Sequence, residues 1–282
     1  MRLEKASPLV YSYQSTRPDA ENQLPKNASR SCRKLKKQIV FGLDPPIMPT
    51  TLSFADFSMS RAASELRYDN AYLIYDRTGQ VIQEARGHFT NFKVTSATPN
   101  ESTFLSDEGS FGLQLGSCRF ISDKADASLE SFGSSCKRYF DIVAELLDIR
   151  MFTRVGLRVI TKKTTKDKEE AKALLRSLHL ANLPSTMRFG ASEDPEEIMF
   201  RWESSQIGAL IRLKAETTTV DVILPPELEL SMSNIHRSVT GLTLDVDYYT
   251  VAPVERSQWD ATAWITQSMR FIKKETTSIL GG

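Results

Sequence analysis

Two pairs of like-charged residues are the side chains in this sequence best placed to do chemistry. Asp245 and Asp247 alternate along a strand-like segment, so both carboxylates point to one face. Paired carboxylates of this kind hold divalent metals in many hydrolytic and phosphoryl-transfer sites. Nucleotidyltransferases also need a Gly-Ser turn well upstream, and Gly241-Leu242 is the wrong dipeptide and too close. The second pair lies in Arg154-Val155-Gly156-Leu157-Arg158. On a strand these guanidinium groups share a face about 13 Å apart, with a gap at Gly156 where a ligand or another backbone could approach. Two forked cations could bind an anion or a partner. A plainer arrangement would account for both pairs: Arg154 and Arg158 could neutralise Asp245 and Asp247 across neighbouring strands.

Other catalytic signatures are missing. His88, His179 and His236 lie at no metal-ligand spacing from one another or from a cysteine. Gly116-Ser117-Cys118 lacks the glycine that a nucleophile elbow requires. Cys136 falls on the apolar face of a helical segment and reads as an inert core thiol. Neither glycine-rich phosphate-binding pattern occurs, so no cofactor is expected.

These groups are carried by a chain of ordinary globular composition, 40% hydrophobic and 25% charged, with a net charge of +1. The charge is unevenly spread. Residues 1–38 carry nine basic and three acidic residues, or +6, which leaves −5 for the remainder. That stretch is rich in Ser, Pro, Asn, Gln and Lys and is expected to be a disordered basic tail that could touch nucleic acid. Met48 and Met59 are later candidate starts. With no secretory signal, no apolar run of about 20 residues and three unpatterned cysteines, a cytoplasmic protein without a membrane span is expected.

Periodicity supplies the elements. After a Pro45-Pro46 lead-in, Ala71–Tyr75 and Val81–Ala85 flank Asp76-Arg77-Thr78-Gly79 and read as a hairpin. His88–Thr95 and Phe111–Ile121 read as strands. Leu129, Phe132, Cys136, Phe140, Val143 and Leu147 share one helical face. Met151–Thr161 returns to strand period, and Asp167–Leu180 is an amphipathic helix. Ile198–Glu203 and Ile207–Leu213 form a hairpin, followed by strands at Val220–Leu224 and Gly241–Thr250. A closing helix over residues 255–277 buries Ala261, Trp264, Ile265, Ser268, Met269 and Ile272.

An internal echo links the two parts. Gly112-Leu113-Gln114-Leu115 matches Gly241-Leu242-Thr243-Leu244 at an offset of 129, which also places Phe120 on Tyr249, Cys136 on Ile265, Phe140 on Met269 and Val143 on Ile272. The expectation is an α+β protein with mostly antiparallel sheets covered by amphipathic helices. Beyond the tail it divides into two similar halves, 39–150 and 151–282, each ending in a helix.

Phe152-Thr153-Arg154-Val155-Gly156-Leu157-Arg158-Val159-Ile160 resembles the central motif of a sporadically distributed family of uncharacterised bacterial proteins of about this length. The resemblance extends to the proline lead-in Pro45-Pro46-Ile47, to the late strand Leu244-Asp245-Val246-Asp247-Tyr248 and to the closing helix, covering residues 44–277. Thr161 stands where members of that family usually carry asparagine. The resemblance implies no activity, and its patchy distribution implies an accessory role in a mobile-element or defence locus. Three functions are therefore expected, in this order. The first is a non-enzymatic binding protein acting on an unknown protein partner or as a homo-oligomer. The second is a nucleic-acid-associated protein using the tail with Arg154 and Arg158. The third is a divalent-metal enzyme at Asp245 and Asp247.

Overall fold

The strand at the middle of the sheet is one that hydrophobic patterning does not announce. In the computed structural model, Ser58–Arg67 forms β1, whose sequence is mostly polar and small. It buries Ala62, Ser64 and Leu66 on one face, and the Ser64 hydroxyl donates to the Gly156 carbonyl at 3.1 Å. That bond satisfies a buried hydroxyl and locks β1 to its neighbour. The structure describes residues 52–98, 100–123, 129–180, 195–222 and 235–281, all within a compact unit spanning Ile47–Gly282. The basic tail, the proline lead-in and the end of the Val220–Leu224 segment lie outside the described residues, as does the side chain of His236.

Helix α1 (Ile74–His88) follows β1 and replaces the expected hairpin. Buried Ile74, Val81 and Ala85 recur at helical spacing, and Thr78 turns its hydroxyl back to the Ile74 carbonyl at 2.5 Å. Gly79 faces open space within this helix, so the turn-like tetrapeptide costs it about 1 kcal/mol without breaking it. The chain then runs through β2 (Lys93–Ala97), β3 (Glu101–Leu105), β4 (Ser110–Gln114) and β5 (Ser117–Ser122) to α2 (Leu129–Leu146). The single strand expected over 111–121 is thus two, joined at Leu115-Gly116. The change of parity records the turn, because Phe111 and Leu113 are buried before it and Cys118 and Phe120 after it.

The second half opens with β6 (Met151–Phe152) and β7 (Arg154–Thr164), then α3 (Lys168–Ser177), capped by Asp167. The expected hairpin forms as β8 (Glu197–Glu203) and β9 (Ile207–Val222). β10 (Ile235–Thr250), the short β11 (Val254–Glu255) and α4 (Ala261–Ile279) complete the chain.

Among the described residues, nine strands make one antiparallel sheet in the order β2-β3-β4-β5-β1-β7-β10-β9-β8. The α+β class is as the periodicity indicates. In the described residues each half runs strand, helix, antiparallel strands, helix, and the halves meet at the β1–β7 pair with Ala62 opposite Val159. One sheet therefore crosses the 150/151 boundary.

The echo holds in the helices and at Leu113 and Leu242, both buried, and breaks after the Leu115-Gly116 turn. Cys136 and Ile265, Phe140 and Met269, and Val143 and Ile272 are all buried. α2 meets α4 at the matched residues Gly133 and Thr262, whose hydroxyl donates to the Gly133 carbonyl at 3.5 Å. Phe120, however, packs beneath α2 against Phe132, whereas Tyr249 lies on the opposite face of the sheet beside Arg154. The turn at Leu115-Gly116 reverses the parity of the first half, whereas β10 runs straight through the matching residues, so the faces differ from that point on.

The helices cover one face. Its core is densest in the first half, where Phe111 touches Phe89, Phe92, Phe120 and Tyr139 with ring centroids 4.6–5.8 Å apart. Cys118 and Cys136 are free and fully buried here, and burial pushes both thiols well above the ordinary range. A Cys32→Ser variant, which leaves these two thiols alone, should be silent toward a disulfide reagent when native and label fully in urea. Prompt labelling of the native protein would contradict this packing.

Candidate functional site

The other face of the sheet is where the sequence-predicted residues meet. Arg154 and Arg158 project from β7, and Asp245 and Asp247 from β10, in the strand-alternation pattern that puts all four on one side. They neutralise one another. Arg158 holds Asp245 through two parallel bonds, Nε to Oδ1 at 2.8 Å and Nη2 to Oδ2 at 2.7 Å. This fork raises the Arg158 pKa through the Asp245 hydrogen bonds and keeps the guanidinium charged.

Arg154 lies over Gly156 and reaches towards β10. Its Nη2 donates to Asp247 Oδ2 at 2.7 Å and its Nη1 to Glu65 Oε1 at 3.4 Å, and its guanidinium sits 4.3 Å from the centre of the Tyr249 ring. The gap expected at Gly156 is filled by this side chain. A Cβ there would meet the guanidinium at 3.7–3.8 Å, an ordinary contact, so nothing about the position demands glycine. Glu65 is shared with Arg67 at 2.6 Å, which extends the lattice onto β1.

The same pattern continues outward. Arg61 pairs with Asp123, Arg212 with Glu197 at 3.1 Å, and Arg201 with Glu203 at 2.6 Å. Arg119 lies flat over Gly112, whose added Cβ would meet its Nε at 2.8 Å. The pairs that span two strands, Arg158–Asp245, Arg154–Asp247 and Arg212–Glu197, set cross-strand register chemically, whereas Arg201–Glu203 and Arg67–Glu65 each lie within one strand. As an anion site it is weak, because a phosphate would first have to displace a carboxylate. As a metal site, Asp245 and Asp247 are already engaged by guanidinium groups. Among the described residues, no group of three or more His, Cys, Asp or Glu is placed to hold a metal ion. His88 pairs with Glu84 at the exposed end of α1, and His179 lies exposed just past α3. Among the described residues no helix is long and apolar enough to cross a membrane.

A different feature lies on the helix-covered face of the second half. Trp202 on β8, Ile211 on β9, Tyr248 on β10 and Phe271, Glu275 and Ile279 on α4 line an apolar groove of about 300 Å³. Trp202 is 49% exposed and Phe271 43%. Tyr248 stacks between α4 rings, 5.7 Å from Trp264 and 5.1 Å from Phe271. Phe200 stacks on Trp202 at 5.5 Å and braces it.

No protein-family model matches this chain, and no curated protein sequence does.

The groove was not among the sites the sequence pointed to. One signal for it was present: Phe271 is a large aromatic residue lying outside the buried stripe of the closing helix. Trp202 carries none, because an aromatic residue in a strand is ordinary β-sheet composition.

Proposed function

We propose that this chain is a non-enzymatic binding protein that docks a protein partner through the groove between β8 and α4. The observation that carries this reading is the contrast between the two faces. One face neutralises its own charges, whereas the other leaves two large aromatic side chains half-exposed around a ready-made concavity. Singly exposed apolar residues are commonplace, but contiguous ones around a cavity mark interaction sites. Aromatic anchors in such pockets supply most of the energy of protein interfaces. Nucleic-acid association receives less support, since forked arginines already bound to carboxylates offer few free donors to phosphate. A cytoplasmic site of action belongs to the same proposal.

The test is photo-crosslinking in the cell. A benzophenone amino acid placed at Trp202 should give a discrete heavier adduct, and the same group at Arg119 on the opposite face should not. Silence at position 202, or equal adducts at both positions, would reject the reading.

A further inference from the structure

The groove beside α4 has a counterpart in the first half, where it is filled. There α1 packs against α2, and Phe89 and Phe92, just beyond the end of α1, pack on Phe111 and Phe104. In the second half α3 takes the place of α1, but it is 10 residues long instead of 15 and rests on β9 and β10. The offset of 129 that aligns α2 with α4 sets Phe271 on Ile142 and Glu275 on Leu146. Ile142 is 8% exposed and Phe271 43%, so a position covered in one half is open in the other.

Charge follows the same comparison. Arg77 of α1 donates from Nη1 to the Leu146 carbonyl at 2.7 Å, which stands a cation over the place that Glu275 occupies in the second half. The carboxylate of Glu275 meets only its exposed neighbour Lys274, at 3.6 Å, among the ion pairs of the described residues. Such a contact is loose and screened by water. Among the described residues it leaves Glu275 as the one charged group lining a groove that is apolar and aromatic apart from Thr276.

We infer that the groove receives an aromatic side chain of the partner with a lysine or arginine beside it. The ring fills the space that α1 and its phenylalanines fill in the first half, and the cation meets Glu275. The faces of Tyr248, Phe271 and Trp202 carry negative quadrupole charge and favour both guests. This inference rests on the protein-binding reading and adds the chemistry of the contact.

Three small probes separate the possibilities: phenethylammonium, phenethyl alcohol and phenylacetate, titrated into the full chain and followed by amide and indole NMR shifts. Phenethylammonium should perturb Trp202 and the Phe271–Ile279 turn saturably and bind more tightly than phenylacetate by about fivefold at low salt. Glu275→Gln should abolish that preference while leaving phenethyl alcohol unchanged. Phe271→Ala should weaken all three. Equal binding of the three probes to the native chain, or shifts centred elsewhere, would overturn the inference. So would groove shifts that follow protein concentration alone, since a second copy would then be the occupant. The two proposals fail separately. An adduct from position 202 without the charge preference rejects this inference and keeps the docking site. The charge preference without an adduct keeps the groove's chemistry and rejects the protein partner.

Discussion

Phe111→Ala is expected to lower the unfolding free energy by about 3–5 kcal/mol, the largest loss of any single truncation proposed for this protein. Phe111 is 2% exposed and lies at the centre of a ring cluster that ties the end of α1, β5 and α2 to β4. Removing its ring takes contacts from four aromatic neighbours at once, and the surrounding strands cannot collapse onto the void because their hydrogen bonds hold the spacing. A domain of this kind has about 5–15 kcal/mol in total, so the variant should be marginal at 37 °C. Urea unfolding measures it directly. The midpoint should fall with an unchanged slope, and Phe111→Leu should recover most of the loss. A shift below about 1 kcal/mol would mean that this cluster is not the core of the first half.

Arg154→Met carries the second-largest expected effect, roughly 2–3 kcal/mol. The arginine side chain is 19% exposed, and its partners Asp247 and Glu65 are 27% and 30% exposed. Its loss orphans Asp247 partly out of water, while Glu65 keeps Arg67 at 2.6 Å. Breaking such a network by removing one member costs more than the pair is worth, because the desolvation penalty of the orphaned charge is no longer offset. Arg158→Met should cost nearly as much, because the Asp245 carboxylate it would orphan is only 12% exposed although the guanidinium itself is 50% exposed. Adding Asp247→Asn to Arg154→Met should restore part of the loss by removing the orphaned charge. No rescue would show that the lattice contributes packing and not electrostatics.

Much of the scaffold was legible because its signals are local. The helix over residues 129–146 and the closing helix carry apolar stripes at three- and four-residue steps, and the hairpin of β8 and β9 is framed by a polar turn. The pairing of Arg154 and Arg158 with Asp245 and Asp247 was readable too, as the arrangement that would leave no ligand site. Where the reading missed, a local signal pointed the wrong way. Asp76-Arg77-Thr78-Gly79 has the composition of a turn, yet α2 supplies a surface that rewards burying Ile74, Val81 and Ala85 together, and tertiary packing overrides turn propensity. β1 escaped notice because a central strand hemmed in on both sides can be built from alanine and serine when its neighbours provide the bulk.

The amino-acid order by itself determined the helical faces, the turn between β8 and β9, and the alternation that sets both arginines and both aspartates on one side of their strands. Those properties depend on backbone period, which each segment carries alone. Only the folded chain decided which strands became neighbours, that Arg154 closes its own glycine gap, and that the second half keeps open what the first half fills. Neighbours are chosen by which distant surfaces bury one another best, and the groove exists because α3 rests on β9 and β10 while α1 reaches α2, a difference that neither helix's sequence expresses without the other.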